Sequence, residues 1–575
     1  MASRRDASLK HARHYVHVAR HADALYKAGA AQTLVGLGLF DDNRGQIDAA
    51  WRWASQHPSS SECAELVLDY ADAAAQVGEL RYDIRHERIP QLDLRLATAQ
   101  RLERKDAEAN AWGGLGTAYA ALGNFRRATE CYDRQLAIVR ECGDRRGEGR
   151  ALNNVGTTYT DLGDPRSAIQ HLEQALLIAC ETGDRRGEAD VLNNLGVAFS
   201  NMGSSHKSIG YFEQNLTIAR ETGNRRAEST ALINLGISYA NIGNLRYAVA
   251  LYSDGLIIDR ELGDRYGEGR SLGSLGNAYT VLGDLPQAIL YFKQRLVIAR
   301  EIGDRRGEED VLGNLGVAYG EMGDHQRAIE FFEQHLAIAR EIGHRDGEGK
   351  ALGNLGVAHT NQGNSLKALQ YLAQALKIAR ETNARRHVGE ILGNLGVAYK
   401  DLGDIRHAIE FFEMALEIAR ETDNRLSEST MLGNLGDIYS DQGNARRVLQ
   451  CVEQQMVIAQ EIGNRRDIGD ILEKLGTAYA SLGKQQQAIA SYERCLAVAH
   501  EIRDQELEAR ASWNLGDELA RRGELARAVE LMQVCVDFER TMGHPDAEKD
   551  AKYLAKIQKR LRKAEAKSRP WWRWW

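Results

Sequence analysis

One polar side chain recurs along this sequence at a spacing suited to binding. Asn154, Asn194, Asn234, Asn314, Asn354, Asn394, Asn434 and Asn514 each stand one residue before a Leu-Gly pair (Val-Gly after Asn154). A carboxamide both donates and accepts, so a row of them can pair with successive N–H and C=O groups of an extended peptide. The same row can instead hydrogen-bond one helix to the next, copied along with the repeat. Both roles stay open from sequence. Arg150, Asp190, Arg270, Asp310, Lys350 and Glu390 lie one helical turn ahead of ladder positions and would supply charge selectivity. Val317, Val357 and Val397, three residues after it, would supply apolar contact. Gly313, Gly353, Gly393 and Gly433 immediately precede the ladder and leave room for a backbone to approach.

Other reactive side chains make a weaker case. His11, His14, His17 and His21 fall within about 120° on one helix face. They could hold a metal, but no Cys or carboxylate joins them from a second element, so the expectation is a polar face. His359 stands where most repeats carry Tyr and reads as a packing variant. Glu268, Glu308 and Glu348 read as surface residues of the links. No Ser/His/Asp or Cys/His set has catalytic spacing, so no enzyme and no cofactor is expected. The seven cysteines form no CxxC pair and read as small core residues of a reducing compartment.

The elements that position the ladder follow from a 40-residue period. Glycine recurs at 116, 156, 196 and onward to 516, and a second series runs from 123 to 523. Each copy reads as two helices. Leu312, Leu315, Ala318 and Tyr319 mark the apolar face of a first helix, which stops at Gly323. Asp164, Asn244, Asp284, Asp324 and Asp404 sit where they would cap the second helix, and Pro165 follows at its first position. Ala328, Phe332, Leu336 and Ala339 then mark its face. Only six prolines occur in 575 residues, which suits uninterrupted helices.

Trp112, Leu115, Gly116, Tyr119, Ala128 and Tyr132 resemble the tetratricopeptide repeat signature. The resemblance implies an all-α fold, a right-handed superhelical solenoid of helix-turn-helix units. It further implies that the ladder face of the first helices lines a concave groove. Three regions are expected: residues 1–106, an N-terminal helical cap with one degenerate repeat; 107–543, eleven tandem repeats; and 544–575, a closing helix with a basic, Trp-rich tail. In the cap, helices are expected at 7–27, 44–56, 61–77 and 84–103. In the closing helix (546–567), Tyr553, Leu554, Ile557 and Leu561 would cover the last repeat.

The run Asn314-Leu315-Gly316-Val317-Ala318-Tyr319, with its Gly-Asp-Arg link, resembles the Pins/LGN-type adaptors. That likeness implies that the ladder contacts peptide backbone. His11 to Tyr26, followed by Ile47 to Trp51, resembles the start of the sensor arm of bacterial signal-transduction (STAND/NB-ARC) ATPases. No GxxxxGK[ST] loop occurs, so the chain would be the sensor arm alone. The favoured expectation is a non-enzymatic scaffold for a protein or peptide ligand, with the detached sensor arm as alternative. A third possibility is the tail: the last 25 residues carry nine Lys or Arg against one Glu, which suits weak contact with an anionic membrane or acidic partner through 552–575. A solvated cap with a frayed end is the favoured expectation for that tail. The net charge of −7 argues against nucleic acid. No apolar run marks a signal peptide or a membrane span, so a cytoplasmic protein is expected.

Overall fold

The computed structural model describes residues 2–28, 31–73, 77–78 and 81–568. The chain divides into two compact units, residues 1–318 and 319–575. Every regular element among the described residues is helical, so the fold is all-α. From Lys105 onward, first helices begin at Arg145, Arg185, Arg225 and so on to Gln505, each followed by a second helix. The tryptophan-rich tail, 569–575, lies outside the described residues.

The helix ends obey local chemistry. Gly323 sits at φ +80°, where a Cβ would be strained, and so closes its helix. The carboxylates of Asp164, Asp284, Asp324 and Asp404 each accept a backbone N–H of the helix that follows. Asn244 makes no such side-chain bond. Within a repeat the two helices cross at the 116-to-516 glycines. A Cβ on Gly276 would stand 2.4 Å from Cε1 of Phe292, a ring that is fully buried.

Residues 1–106 differ from expectation in detail. The second helix runs Ala31–Ser55, longer than 44–56, and passes through Gly36, Gly38 and Gly45 without ending. A Cβ on Gly36 would lie 2.6 Å from the carbonyl oxygen of Ala22, so this glycine lets two helix backbones meet. The third helix is Ser61–Ala73. The stretch expected to be one helix from 84 opens with a π-turn, Ile84–Arg88, before the α-helix Ile89–Arg101. Leu92 of that helix is buried beside Leu115, with Leu96 packed against them. The closing helix is Ala547–Ser568, with Leu554 and Ile557 buried against the last repeat and Leu561 half-buried. Tyr553 is more exposed and donates to Asp517 at 2.7 Å. Cys63, Cys131, Cys451, Cys495 and Cys535 are core residues as expected, but Cys142 and Cys180 are exposed.

The link glutamates are not surface residues. Glu268, Glu308 and Glu348 are buried, and each carboxylate lies between two arginines. Arg340 closes the preceding helix and reaches Glu348 at 2.8 Å, while Arg345 reaches it at 2.5 Å and also pairs with Glu381 at 2.6 Å. Arg140, Arg220, Arg260, Arg300 and Arg420 pair likewise with the Glu eight residues on, at 2.7–2.9 Å. These rungs tie the end of one repeat to the start of the next. Burial opposes the charge of Glu148, Glu228, Glu348 and Glu428, but hydrogen bonds from the two arginines outweigh it and hold these carboxyls below their usual range. A depressed carboxyl contributes stability above its unfolded pKa, about 4.3 for Glu, and loses it as pH falls through the folded value. Acid unfolding followed by circular dichroism should therefore begin below about pH 4.5. Glu348→Gln should flatten that limb; an unchanged acid limb would refute the assignment.

His359 is a packing residue with a cost attached. It is buried, its ring stacks on Tyr371 (centroids 5.4 Å apart), and neither ring nitrogen has a hydrogen-bond partner. Burial first, and the nearby Lys367 second, push its pKa down, with Glu333 opposing them. Stability is thus full above the unfolded value, about 6.5, and lost as pH falls below it. His359→Tyr removes two unsatisfied nitrogens and directs a hydroxyl toward Glu333, as Tyr239 does toward Glu213. The variant should gain about 2 kcal/mol and lose the destabilisation between pH 7 and 5. Equal urea midpoints for variant and parent at pH 5.5 would contradict this.

Candidate functional site

Each ladder asparagine is oriented by the two residues after it. Leu195, Leu355, Leu395 and Leu435 are buried, and the next glycine is usually held against a second-helix side chain. With the leucine anchored in the core, the residue before it points about 100° away around the helix. The eight amides are consequently half-buried, neither core nor fully solvated.

The structure divides the ladder into two kinds of amide. Asn194 Nδ2 donates to Asn153 Oδ1 at 3.0 Å and to Thr157 Oγ1 at 3.1 Å. Asn234 donates to Asn193 Oδ1 at 2.8 Å, and Asn514 to Glu473 Oε1 at 3.0 Å. Asn153, Asn193 and Glu473 each stand 41 residues back, immediately before the ladder position of the preceding repeat. Asn314 has no such partner and reaches Asn277 instead, at 3.2 Å. The position 41 residues back from Asn154, Asn394 and Asn434 is Gly113, Gly353 and Gly393. Among the described residues, the side chains of Asn154, Asn354, Asn394 and Asn434 make no hydrogen bond. Helix-to-helix bonding thus accounts for half of the ladder and leaves the rest available. The deciding residues Asn153, Asn193 and Glu473 were missed in the sequence; their alternation with glycine was the signal.

The surroundings differ along the ladder as well. Near Asn194, a cavity of about 620 Å³ is lined by Asn153, Asn193, Asp190, Arg186 and Arg226. A neighbouring one of about 240 Å³ holds Arg150 and Asn154, and the two share Asn153 and Asp190. Desolvation in this recess pushes the Asp190 carboxyl up, with Arg186 pulling it back. Arg270 faces the buried Asp259, whose carboxylate accepts from Ser229 and Ser271 and is pushed up by burial. Beside Asn354 and Asn394 the charges neutralise one another. Lys350 pairs with Asp346 at 2.8 Å, and Arg386 with Glu390 at 3.5 Å. Space is open beside Asn354, where nothing lies within 4 Å of a Cβ built on Gly353, but a Cβ on Gly393 would meet Met431 at 3.0 Å and one on Gly433 would meet Gln455 at 3.2 Å. Val317 is 40% exposed, and Val357 and Val397 are half-buried.

The remaining candidates do not assemble a site. His11, His14, His17 and His21 are all exposed, and His11 bonds Gln46. No group of three His, Cys, Asp or Glu suited to a metal occurs among the described residues. Among them, too, no helix is long and apolar enough to cross a membrane.

No curated protein matches the sequence. Among solved structures, the chain is similar to a signal transduction ATPase with numerous domains (STAND) with a tetratricopeptide repeat sensor, from Pyrococcus horikoshii. Identity is 16% and the TM-score 0.49, over 65% of this chain and 56% of that one. The quorum sensor NprR from B. thuringiensis is 14% identical with a TM-score of 0.44, over 66% and 99%. BtubC from P. vanneervenii is 21% identical with a TM-score of 0.35, over 38% and 93%. A family model for the tetratricopeptide repeat matches residues 107–181, 267–341, 347–421, 427–501 and 467–538, more than half of the chain. That match covers the helices that carry Asn154, Asn314, Asn354, Asn394, Asn434 and Asn514, and the chain belongs to the tetratricopeptide repeat family.

Proposed function

We propose that the protein is a non-catalytic scaffold that holds an extended peptide or flexible protein segment along the ladder, centred on Asn354, Asn394 and Asn434. Tetratricopeptide repeats form scaffolds suited to protein–protein interaction. The observation that carries the finer reading is the run of three successive ladder amides without a partner of their own. Each can donate to a peptide C=O and accept from an N–H, which reads backbone rather than sequence. The neutralised charges beside them suit such an unselective grip. In the first unit, Arg150, Arg186 and Asp190 stand beside the ladder and would add charge selectivity to a segment held there.

The test is affinity capture from native lysate with the parent chain, an Asn354/Asn394/Asn434→Ala variant and an Asn194/Asn234→Ala variant, read by mass spectrometry. A partner lost only with the triple variant supports the groove. A partner kept by it but lost on removing residues 1–106 would favour the sensor-arm alternative. Liposome binding lost on removing 568–575 would favour the membrane-surface alternative.

A further inference from the structure

Two departures from the repeat line one cavity in the second unit, and a third bears on an arginine at its edge. The cavity, about 430 Å³, is lined by Leu369, Leu376, Leu395, Tyr399 and Phe411, and it includes none of the ladder residues. The first departure is Ala373 on its wall, where neighbouring repeats carry Glu333, Glu413, Glu453 and Glu493. A short side chain there opens the apolar wall and removes a negative charge. The second is Lys377, also on the wall, at a position held by Ala337 and Val297 in preceding repeats. The third is Val388, which is buried where Glu348 and Glu428 form their rungs.

Val388 changes the state of Arg380. Every arginine of its series for which the Glu is present pairs with it, as Arg340 and Arg420 show at 2.8 and 2.9 Å. Arg380, deprived of that Glu, has no ion-pair partner among the described residues and borders the cavity. The remaining acidic lining residue, Glu381, is engaged by Arg345 at 2.6 Å. The result is an apolar recess with two uncommitted cations on it. Its volume falls in the range of small-molecule pockets, roughly 300–1,000 Å³.

We propose that this cavity binds a small amphipathic carboxylate, its aliphatic or aromatic body among Leu369, Leu376, Leu395 and Phe411 and its carboxylate on Arg380 beside Lys377. A guanidinium fork matches a carboxylate in two parallel hydrogen bonds, which an ammonium cannot do. The apolar body supplies affinity by leaving water, and the Arg380 pair sets its orientation. The ligand supplies Arg380 with the carboxylate that a Glu at residue 388 would otherwise give it.

The experiment is calorimetric titration of the full chain with octanoate and 3-phenylpropanoate, with octanol and inorganic phosphate as controls. Saturable one-to-one binding of the carboxylates is expected, with octanol and phosphate each at least about ten-fold weaker, the loss of one charge-assisted pair or of the apolar term. Val388→Glu restores the rung to Arg380, so it should keep or raise thermal stability and weaken octanoate about ten-fold. Ala373→Glu installs the residue of the neighbouring repeats and should abolish binding with helicity unchanged. No saturable binding of either carboxylate would overturn the proposal. So would octanol binding as tightly as octanoate, or affinities untouched in both folded variants.

Discussion

Gly276→Ala is expected to destabilise the array by about 3 kcal/mol, the upper range for overpacking a tight core. Helix propensity alone gives the opposite sign, since alanine is better than glycine inside a helix by about 1 kcal/mol. Packing wins because the new methyl would stand 2.4 Å from Cε1 and 2.5 Å from Cδ1 of Phe292. That ring is 1% exposed and has nowhere to retreat. Gly353→Ala is the matched control, with nothing within 4 Å of its Cβ, and should gain about 1 kcal/mol from propensity. Urea midpoints followed by circular dichroism distinguish the two. Because each repeat buries its apolar face only on its neighbours, the Gly276 variant should also lose cooperativity. Stability equal to the parent's would show that the crossing helices can separate at no cost.

The second large effect concerns affinity and splits the ladder. With a captured peptide, Asn354/Asn394/Asn434→Ala should weaken binding about 100-fold, at about 1 kcal/mol for each amide-to-backbone pair. Helicity and stability should barely move, since these amides bond nothing within the chain. Asn194/Asn234→Ala should show the reverse. It removes the bonds to Asn153 and Asn193 and should cost about 1 kcal/mol of stability for each. Its effect on peptide affinity should stay within about two-fold, a few tenths of a kcal/mol. Gly353→Asn then offers a gain-of-contact check. It gives Asn394 the 41-residue partner that Asn194 already has, and it should lower affinity without deleting any amide. Equal affinity losses from the triple and the double variant would end the division of the ladder.

The missing rung at Val388 and the unpaired ring of His359 belong to the same repeat neighbourhood. Both arise where a regular array departs from its own rule, which is where a repeat protein can carry local function. Identical copies elsewhere repeat one surface and mark no single place. Ala373, Lys377, Val388 and His359 were each visible as substitutions in the 40-residue frame. None could be ranked without knowing which of them share a cavity and which merely share a helix.

The sequence by itself determined the helix pairs, their register and their ends. Glycine at fixed positions, Asp164 or Asp284 ahead of a second helix, and Leu-Gly in each first helix act over a few residues, so local chemistry suffices to read them. The same holds for Leu554 and Ile557 in the closing helix. Tertiary structure alone decided what the polar side chains do. Asn194 and Asn394 occupy equivalent places in identical local strings, yet one is bonded and the other free, because the outcome depends on Asn153 or Gly353 in another helix. Glu348 looked like a link residue until Arg340 and Arg345 closed around it. The start of the second helix was misread for a related reason. Gly36 signals a break in a lone chain, and becomes a contact only when Ala22 lies against it. A hydrogen bond, an ion pair or a close approach is a property of two segments, and a single sequence orders only one of them at a time.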